Sequence, residues 1–309
     1  MNMKKLTAIM CAAVLAAGML TGCGDKADAP AAAGTENMDN QTADTADTNK
    51  AAGADQTEEG AETPEEAADG ADADRTTFTV GFDAEFPPYG YMDESGEYVG
   101  FDLDLAREVS SRNGWEFIAR PIDWDSKDME LNSGSIDCIW NGFTMQGRED
   151  EYTWTVPYVD NSQVFVVPAD AGISAPADLA GKVVGVQKDS SALAALEGES
   201  ADLAATFAQL QQYGDYNIAF MDLEQGAIDA LAIDIGVANY QISSREDAFV
   251  VLEDKLASEQ YGIGFKLGND ALKDQVEATL LEMAEDGTFM KIAEKYSDFG
   301  LTDSVCLGK

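Results

Sequence analysis

The chain has 309 residues, a formal net charge of −39 and no histidine. Such acidity repels phosphate backbones and excludes nucleic-acid binding. The missing imidazole excludes Ser-His-Asp and Cys-His nucleophile activation and removes the commonest metal ligand.

Met1 to Gly22 opens with Lys4 and Lys5, continues with an apolar run from Leu6 to Leu20 and closes on Leu20-Thr-Gly-Cys23. The apolar stretch is short for a membrane span and ends in small residues, as a signal peptide does. Leu-x-Gly-Cys resembles the lipobox of bacterial lipoproteins, which implies a diacylated, palmitate-type anchor on Cys23 and a position on the extracytoplasmic face of the cell membrane. Residues 24–76 carry fifteen Asp and Glu against three Lys and Arg, with no aromatic, Leu, Ile or Val. A stretch so poor in apolar surface cannot offset its ordering entropy, so residues 23–76 read as a lipidated cysteine with a disordered acidic tether. The remaining residues, 77–309, have a net charge of −29 and enough length for two lobes.

The most informative stretch is FTVGFDAEFPPYGYMDESGEYVGFDLDLA, Phe78 to Ala106. Alternating Phe78, Val80 and Phe82 predict a strand ending at Asp83. Pro87 and Pro88 stiffen the loop that carries Phe86, and Asp102 is placed to cap a helix bearing Leu103, Leu105 and Val109. A carboxylate and an aromatic at a strand's carboxyl end lie where open α/β sheets bind ligands. The segment resembles the amino-acid-binding family of bacterial solute-binding proteins, the receptors of ABC importers. The resemblance implies an α/β, two-lobed periplasmic-binding-protein fold of type II, with two hinge strands and a ligand cleft between the lobes. Lobe 1 would comprise about 77–166 and 263–309, and lobe 2 about 167–262. The crossings would fall near Gln163–Pro168 and Glu259–Gly264.

Further apolar runs read as strands at 116–120, 136–143, 164–167, 182–186, 216–220, 230–233, 249–252 and 261–265. Helical spacing is clearest at 270–286, followed after Gly287 by Phe289 to Tyr296. Their alternation argues for largely parallel sheets with crossover helices.

A zwitterionic amino acid needs a cation, an anion and apolar walls. Arg148, in a glycine-containing loop after an apolar run, offers a bidentate fork to a carboxylate. The family's motif here is matched by Gly142 and Thr144, but Arg148 stands one residue closer to Thr144 than the motif has it. By that resemblance Thr144 would donate its hydroxyl and the Gly142 carbonyl would accept from the ammonium. The alternative is a surface pairing of Arg148 with Glu149 or Glu151. Asp234 closes an apolar run where the family has the acid that binds the α-ammonium; its alternative role is to N-cap the following helix. Gln187, Ser190 and Ser191 lie where a strand enters a helix whose N–H groups attract a carboxylate, or else the serines simply cap. Asp189 stands where the family usually has Gly. Phe86 and Trp124 match the rings that sandwich the ligand, with core packing the alternative for Trp124. Trp140 and Trp154 read as packing.

Asp83 occupies the position that meets the far end of the ligand's side chain in relatives, which disfavours acidic ligands. The expected ligand is therefore glutamine, arginine, lysine or histidine. If Asp83 instead holds its own loop, a neutral or sulfur-containing amino acid such as cystine is open. Cys138 and Cys306, the only cysteines beyond Cys23, either form a disulfide or remain a buried thiol and a tail thiol. No cofactor, metal or catalytic residue is expected, and the partners are a free amino acid, the ABC permease subunits and the membrane through the anchor. A monomer is expected. The enzyme alternative, a dehydratase on the same fold, needs a poised acid/base that the histidine-free chain does not supply. A membrane-kinase sensor would need a transmembrane helix after residue 296, where none is read.

Overall fold

A computed structural model describes residues 75–245 and 247–308. The signal peptide, Cys23 and nearly all of the acidic tether lie outside them. The described residues begin at Arg75, slightly inside the segment expected to be tether. The Arg75 guanidinium pairs with Asp137 at 2.7 Å, and Glu116 donates to the Thr76 carbonyl at 2.8 Å.

Two lobes, each built on its own sheet, share one interior cleft. In the first sheet, the strand Thr77–Phe82 lies between Glu116–Pro121 and Cys138–Ile139, parallel to both. Gly264–Lys266 then joins antiparallel, between Cys138–Ile139 and Tyr152–Trp154. The sheet is thus completed by residues far along the chain, a pairing that local pattern cannot announce. The second sheet runs Gln209–Tyr213, Val183–Gln187, Ala230–Asp234, Val159–Pro168, Phe249–Val251, with Ala257–Tyr261 also on Val159–Pro168. Both sheets are mixed rather than largely parallel. The long strand Val159–Pro168 runs antiparallel to every neighbour, because it enters from the other lobe. Its start and the end of Ala257–Tyr261 reach back to the first lobe: Tyr158 donates to the Tyr261 carbonyl at 3.0 Å, and Thr144 bridges to Tyr261.

One expected strand is a helix. Tyr216–Glu224 is α-helical, its first turn capped by Asp215, whose carboxylate accepts from Ile218 N–H at 2.8 Å. Tyr216, Ala219, Phe220 and Leu223 bury one face at helical spacing, so the apolar run had the wrong period assigned to it. The strand of that region is Gln209–Tyr213, an edge strand with three glutamines and little apolar pattern to mark it. The run 136–143 forms only a two-residue strand, because Gly142 turns it at φ 55°.

Asp102 does not cap its helix. The helix Phe101–Asn113 begins after Gly100, and the fully buried Asp102 carboxylate instead accepts from Gly142 N–H at 2.6 Å. Cys138 is a free thiol at 0% exposure inside the first sheet, so the bridge to Cys306 is not formed. Its strand places it between Val80 and Phe265, while Cys306 is tied through its N–H to the Tyr158 carbonyl.

Candidate functional site

Nine of the ten expected ligand residues line one narrow cavity of about 20 Å³: Phe86, Trp124, Gly142, Thr144 and Arg148 from the first lobe, and Gln187, Ser190, Ser191 and Asp234 from the second. Each stands at a strand end or in the turn after it, so both sheets aim their carboxyl ends at the same space.

Arg148 makes no ion pair with Glu149 or Glu151 among the described residues; its guanidinium donates to the Thr144 carbonyl at 3.3 Å and the Asp189 carbonyl at 3.1 Å. It also lies 5.3 Å from the Phe143 ring centre. The one-residue shortening before it is absorbed by a tight turn, in which Gly147 takes φ 81° and Arg148 N–H donates to the Met145 carbonyl at 3.0 Å. Trp154, read as packing, also anchors this loop through Nε1 to the Arg148 carbonyl at 3.0 Å.

Asp234 precedes the helix Ile235–Ile242 without capping it. It is buried, and its Oδ1 accepts from Tyr261 Oη at 2.5 Å, Gln163 Nε2 at 2.7 Å and Asn161 Nδ2 at 2.8 Å. No lysine or arginine among the described residues pairs with it. Burial, then the charge of Glu259, pushes its carboxyl up to about 7. An anion held by neutral donors alone is a socket for an incoming cation.

The serines divide. Ser190 is a helix cap, with Oγ accepting from Leu193 N–H at 3.1 Å and donating to the Gln187 carbonyl at 2.8 Å. Ser191 Oγ faces Thr144 Oγ1 at 3.2 Å across the cleft. Phe86 stacks among Tyr89 and Tyr216, at 5.7 and 5.9 Å between ring centres. Trp124 is nearly buried, yet it lines the cavity and donates Nε1 to the Asp189 carbonyl at 3.2 Å.

Asp83 is the exception. It lies beyond the cavity, in a wider opening on the other side of Trp124 that is also lined by Glu85, Asp123, Asp125 and Asp215. Its carboxylate accepts from Glu85 N–H at 2.8 Å, within its own loop, and from Gln187 Nε2 at 2.7 Å, across the cleft. Asp189 adopts the left-handed φ of 54° that explains the family's Gly, and it forms an ion pair with the buried Lys127 of the first lobe. Lys127 carried no signal in the sequence beyond following Trp124 by three residues. Asn161, Gln163, Glu259 and Tyr261 were likewise missed. Their mark is alternation: polar side chains at i and i+2 on two facing strands, with Asn161 directly opposite Glu259.

With this geometry in view, residues 78–300 match the bacterial extracellular solute-binding proteins, family 3. The chain belongs to that family. Among its relatives, the L-cystine-binding protein TcyJ of Escherichia coli K12 is 27% identical over 226 residues, covering 72% of this chain and 83% of that one. The ABC transporter arginine-binding protein 1 of the same strain is also 27% identical, over 70% of this chain and 88% of that one. The crystal structure of an ABC uptake transporter substrate-binding protein from Streptococcus pneumoniae with bound histidine superposes with a TM-score of 0.69. It is 33% identical and covers 71% of this chain and 92% of that one. The family is extracellular, and among the described residues no helix is long and apolar enough to cross a membrane.

Three buried carboxyls of this family-3 chain lie above their ordinary range, each because burial disfavours charge: Asp83 at about 6, and Asp102 and Asp234 at about 7. The folded protein therefore holds protons that the unfolded chain has already released between about pH 4 and pH 7. Stability falls as pH rises through that window, by roughly 1.4 kcal/mol per fully shifted group and pH unit. Urea unfolding of the ligand-free protein should show a higher midpoint at pH 5.5 than at pH 7.5. An equal or lower midpoint at pH 5.5 would mean that these carboxyls ionise normally.

Proposed function

We propose that the chain is the substrate-binding lipoprotein of an ABC importer, capturing one polar amino acid between lobes 77–166 with 263–309 and 167–262, and presenting it to a membrane permease. The observation that carries this reading is the meeting of Arg148 and Asp234, a guanidinium held only by carbonyls and a buried carboxyl with no cation among the described residues, on a single cavity walled by Phe86 and Trp124. Arg148 takes the α-carboxylate and Asp234 the α-ammonium. The acidic opening around Asp83 sets a field that repels anionic side chains and suits a stem ending in nitrogen: glutamine, arginine, lysine or histidine. The names of the relatives, which bind cystine, arginine and histidine, support an amino acid and favour no acidic one.

Thermal shift against the common amino acids, ornithine and cystine tests the reading. A ligand at about 100 times its Kd adds roughly 2.7 kcal/mol of stability. Stabilisation by a basic or amide amino acid is expected; a response to aspartate and glutamate alone, or to none, overturns it. Mass spectrometry of the incubated ligand should return it unchanged, since the chain works as a receptor without turnover. The anchor reading rests on Leu20-Thr-Gly-Cys23. The protein expressed from its full chain should partition into detergent, and Cys23→Ala should move it to the aqueous phase.

A further inference from the structure

A cavity of about 610 Å³ lies behind the hinge, on the face of the crossing strands turned away from the cleft. The strand Val159–Pro168 alternates: Asn161 and Gln163 reach forward to Asp234, while Asp160, Ser162 and Val164 point back into this cavity. Ser258 and Gln260 line it from the strand Ala257–Tyr261, directly opposite Ser162 and Asp160. One wall belongs to lobe 2, with Ile235, Gly236 and Asn239 at the start of the helix Ile235–Ile242 and Val251 beside them. The other is the carboxyl-terminal turn of lobe 1, with Phe299, Gly300 and Ser304. The walls meet at one end, where Asn239 Nδ2 donates to the Phe299 carbonyl at 3.3 Å and the Tyr240 and Phe299 rings stand 4.9 Å apart.

The lining has three levels. Ser162, on the floor, is 6% exposed, and its hydroxyl makes no hydrogen bond among the described residues. A buried hydroxyl without a partner is a fixed bonding point for whatever enters. Above it Val164, Ile235, Val251 and Phe299 give apolar surface. The exposed rim carries Asp160, Glu253 and Asp303 against Lys255 alone, so its field is that of an anion.

We propose that this cavity is a second binding site, for a small organic cation with an apolar body, and that its occupant favours the closed arrangement of the lobes. An occupant touching both walls gains more contact in the arrangement described than in one that parts them. Ser162 also lies between the two residues that hold Asp234, so an occupant bonded to it steadies that stretch of hinge. By reciprocity, cavity and cleft raise each other's affinity by the same factor. The coupling, though not the cavity site itself, rests on the cleft as the amino-acid site.

Titration of 15N-labelled full-chain protein with n-hexylamine tests the site. 1-Hexanol and hexanoate keep the apolar body and remove or reverse the charge. The amine should shift the amides of Ser162, Asn239 and Gly300 saturably, and the alcohol and the anion should bind several-fold more weakly. Glu253→Lys, on the exposed rim, should weaken the amine and spare the alcohol, and Ser162→Leu should fill the floor and abolish both. In calorimetry, saturating n-hexylamine should tighten L-arginine binding by about fivefold or more. Asp234→Ala removes the cleft's anion and keeps the cavity, so amine shifts lost in that variant place the amine in the cleft and overturn the proposal. Equal binding of amine, alcohol and hexanoate overturns it as well, as does an arginine affinity that the amine leaves unmoved. Saturable amine shifts that survive Asp234→Ala, in a protein that binds no arginine, uphold the cavity site and fault the reading of the cleft instead.

Discussion

Arg148→Ala and Asp234→Ala are each expected to reduce amino-acid affinity by roughly 30-fold or more, because truncating one partner of a desolvated charge pair costs on the order of 2–5 kcal/mol. The two losses have different anatomies. Arg148 offers a planar fork whose remaining donors are already anchored to the Thr144 and Asp189 carbonyls, so its aim is preorganised. Asp234 is a buried anion held only by neutral donors, Tyr261, Gln163 and Asn161. Burial without a cation is unfavourable until ligand arrives. Asp234→Asn should therefore raise the thermal midpoint of the ligand-free protein while it removes binding, a trade of stability against function. Calorimetry and thermal melts on the same preparations check both halves. Affinity within a fewfold of wild type in either alanine variant would show that the charge removed does not hold the ligand.

Gly142→Ala should damage both the stability of the protein and its response to ligand. Gly142 takes φ 55°, a conformation that costs a residue with a Cβ about 1–2 kcal/mol. A Cβ there would also lie 2.8 Å from the Phe86 ring and 3.0 Å from the Tyr261 ring, and both rings are packed. Overpacking of this kind typically adds about 1–3 kcal/mol. Relief would require moving the 141–144 loop, which the Asp102 carboxylate holds by the Gly142 N–H. The expected result is a lower urea midpoint together with loss of ligand response, whereas Gly147→Ala, with open space around its Cβ, should lose stability and keep more of the response. Comparable behaviour of the two variants would refute the packing account.

What could be read in advance was whatever announces itself locally. Asp83, Phe86, Gly142, Thr144, Arg148 and Asp234 sit where apolar runs break into glycine, aromatic or charge, and a run followed by such a break is how a strand end looks in sequence. Asn161, Gln163 and Glu259 interrupt strands that are otherwise apolar or exposed, and isolated polar residues there read as surface. Their meaning depends on the pairing of Val159–Pro168 with Ala257–Tyr261, nearly a hundred residues apart, which no local period encodes. The misread 216–220 run has the same origin: five residues are too few to separate a period of 2 from one of 3.6. The return of Gly264–Lys266 to the first sheet came through family resemblance and not through pattern.

The Lys127–Asp189 ion pair joins the lobes directly, as does the Gln187–Asp83 hydrogen bond. A receptor with such clasps starts its closing transition part-way down the hill, since each one narrows the gap between open and shut before solute arrives. The ligand then has less left to supply, and more of its intrinsic affinity survives as apparent affinity. The cost falls on signalling fidelity: the better the empty jaws hold together, the more often the transporter meets a shut receptor carrying nothing.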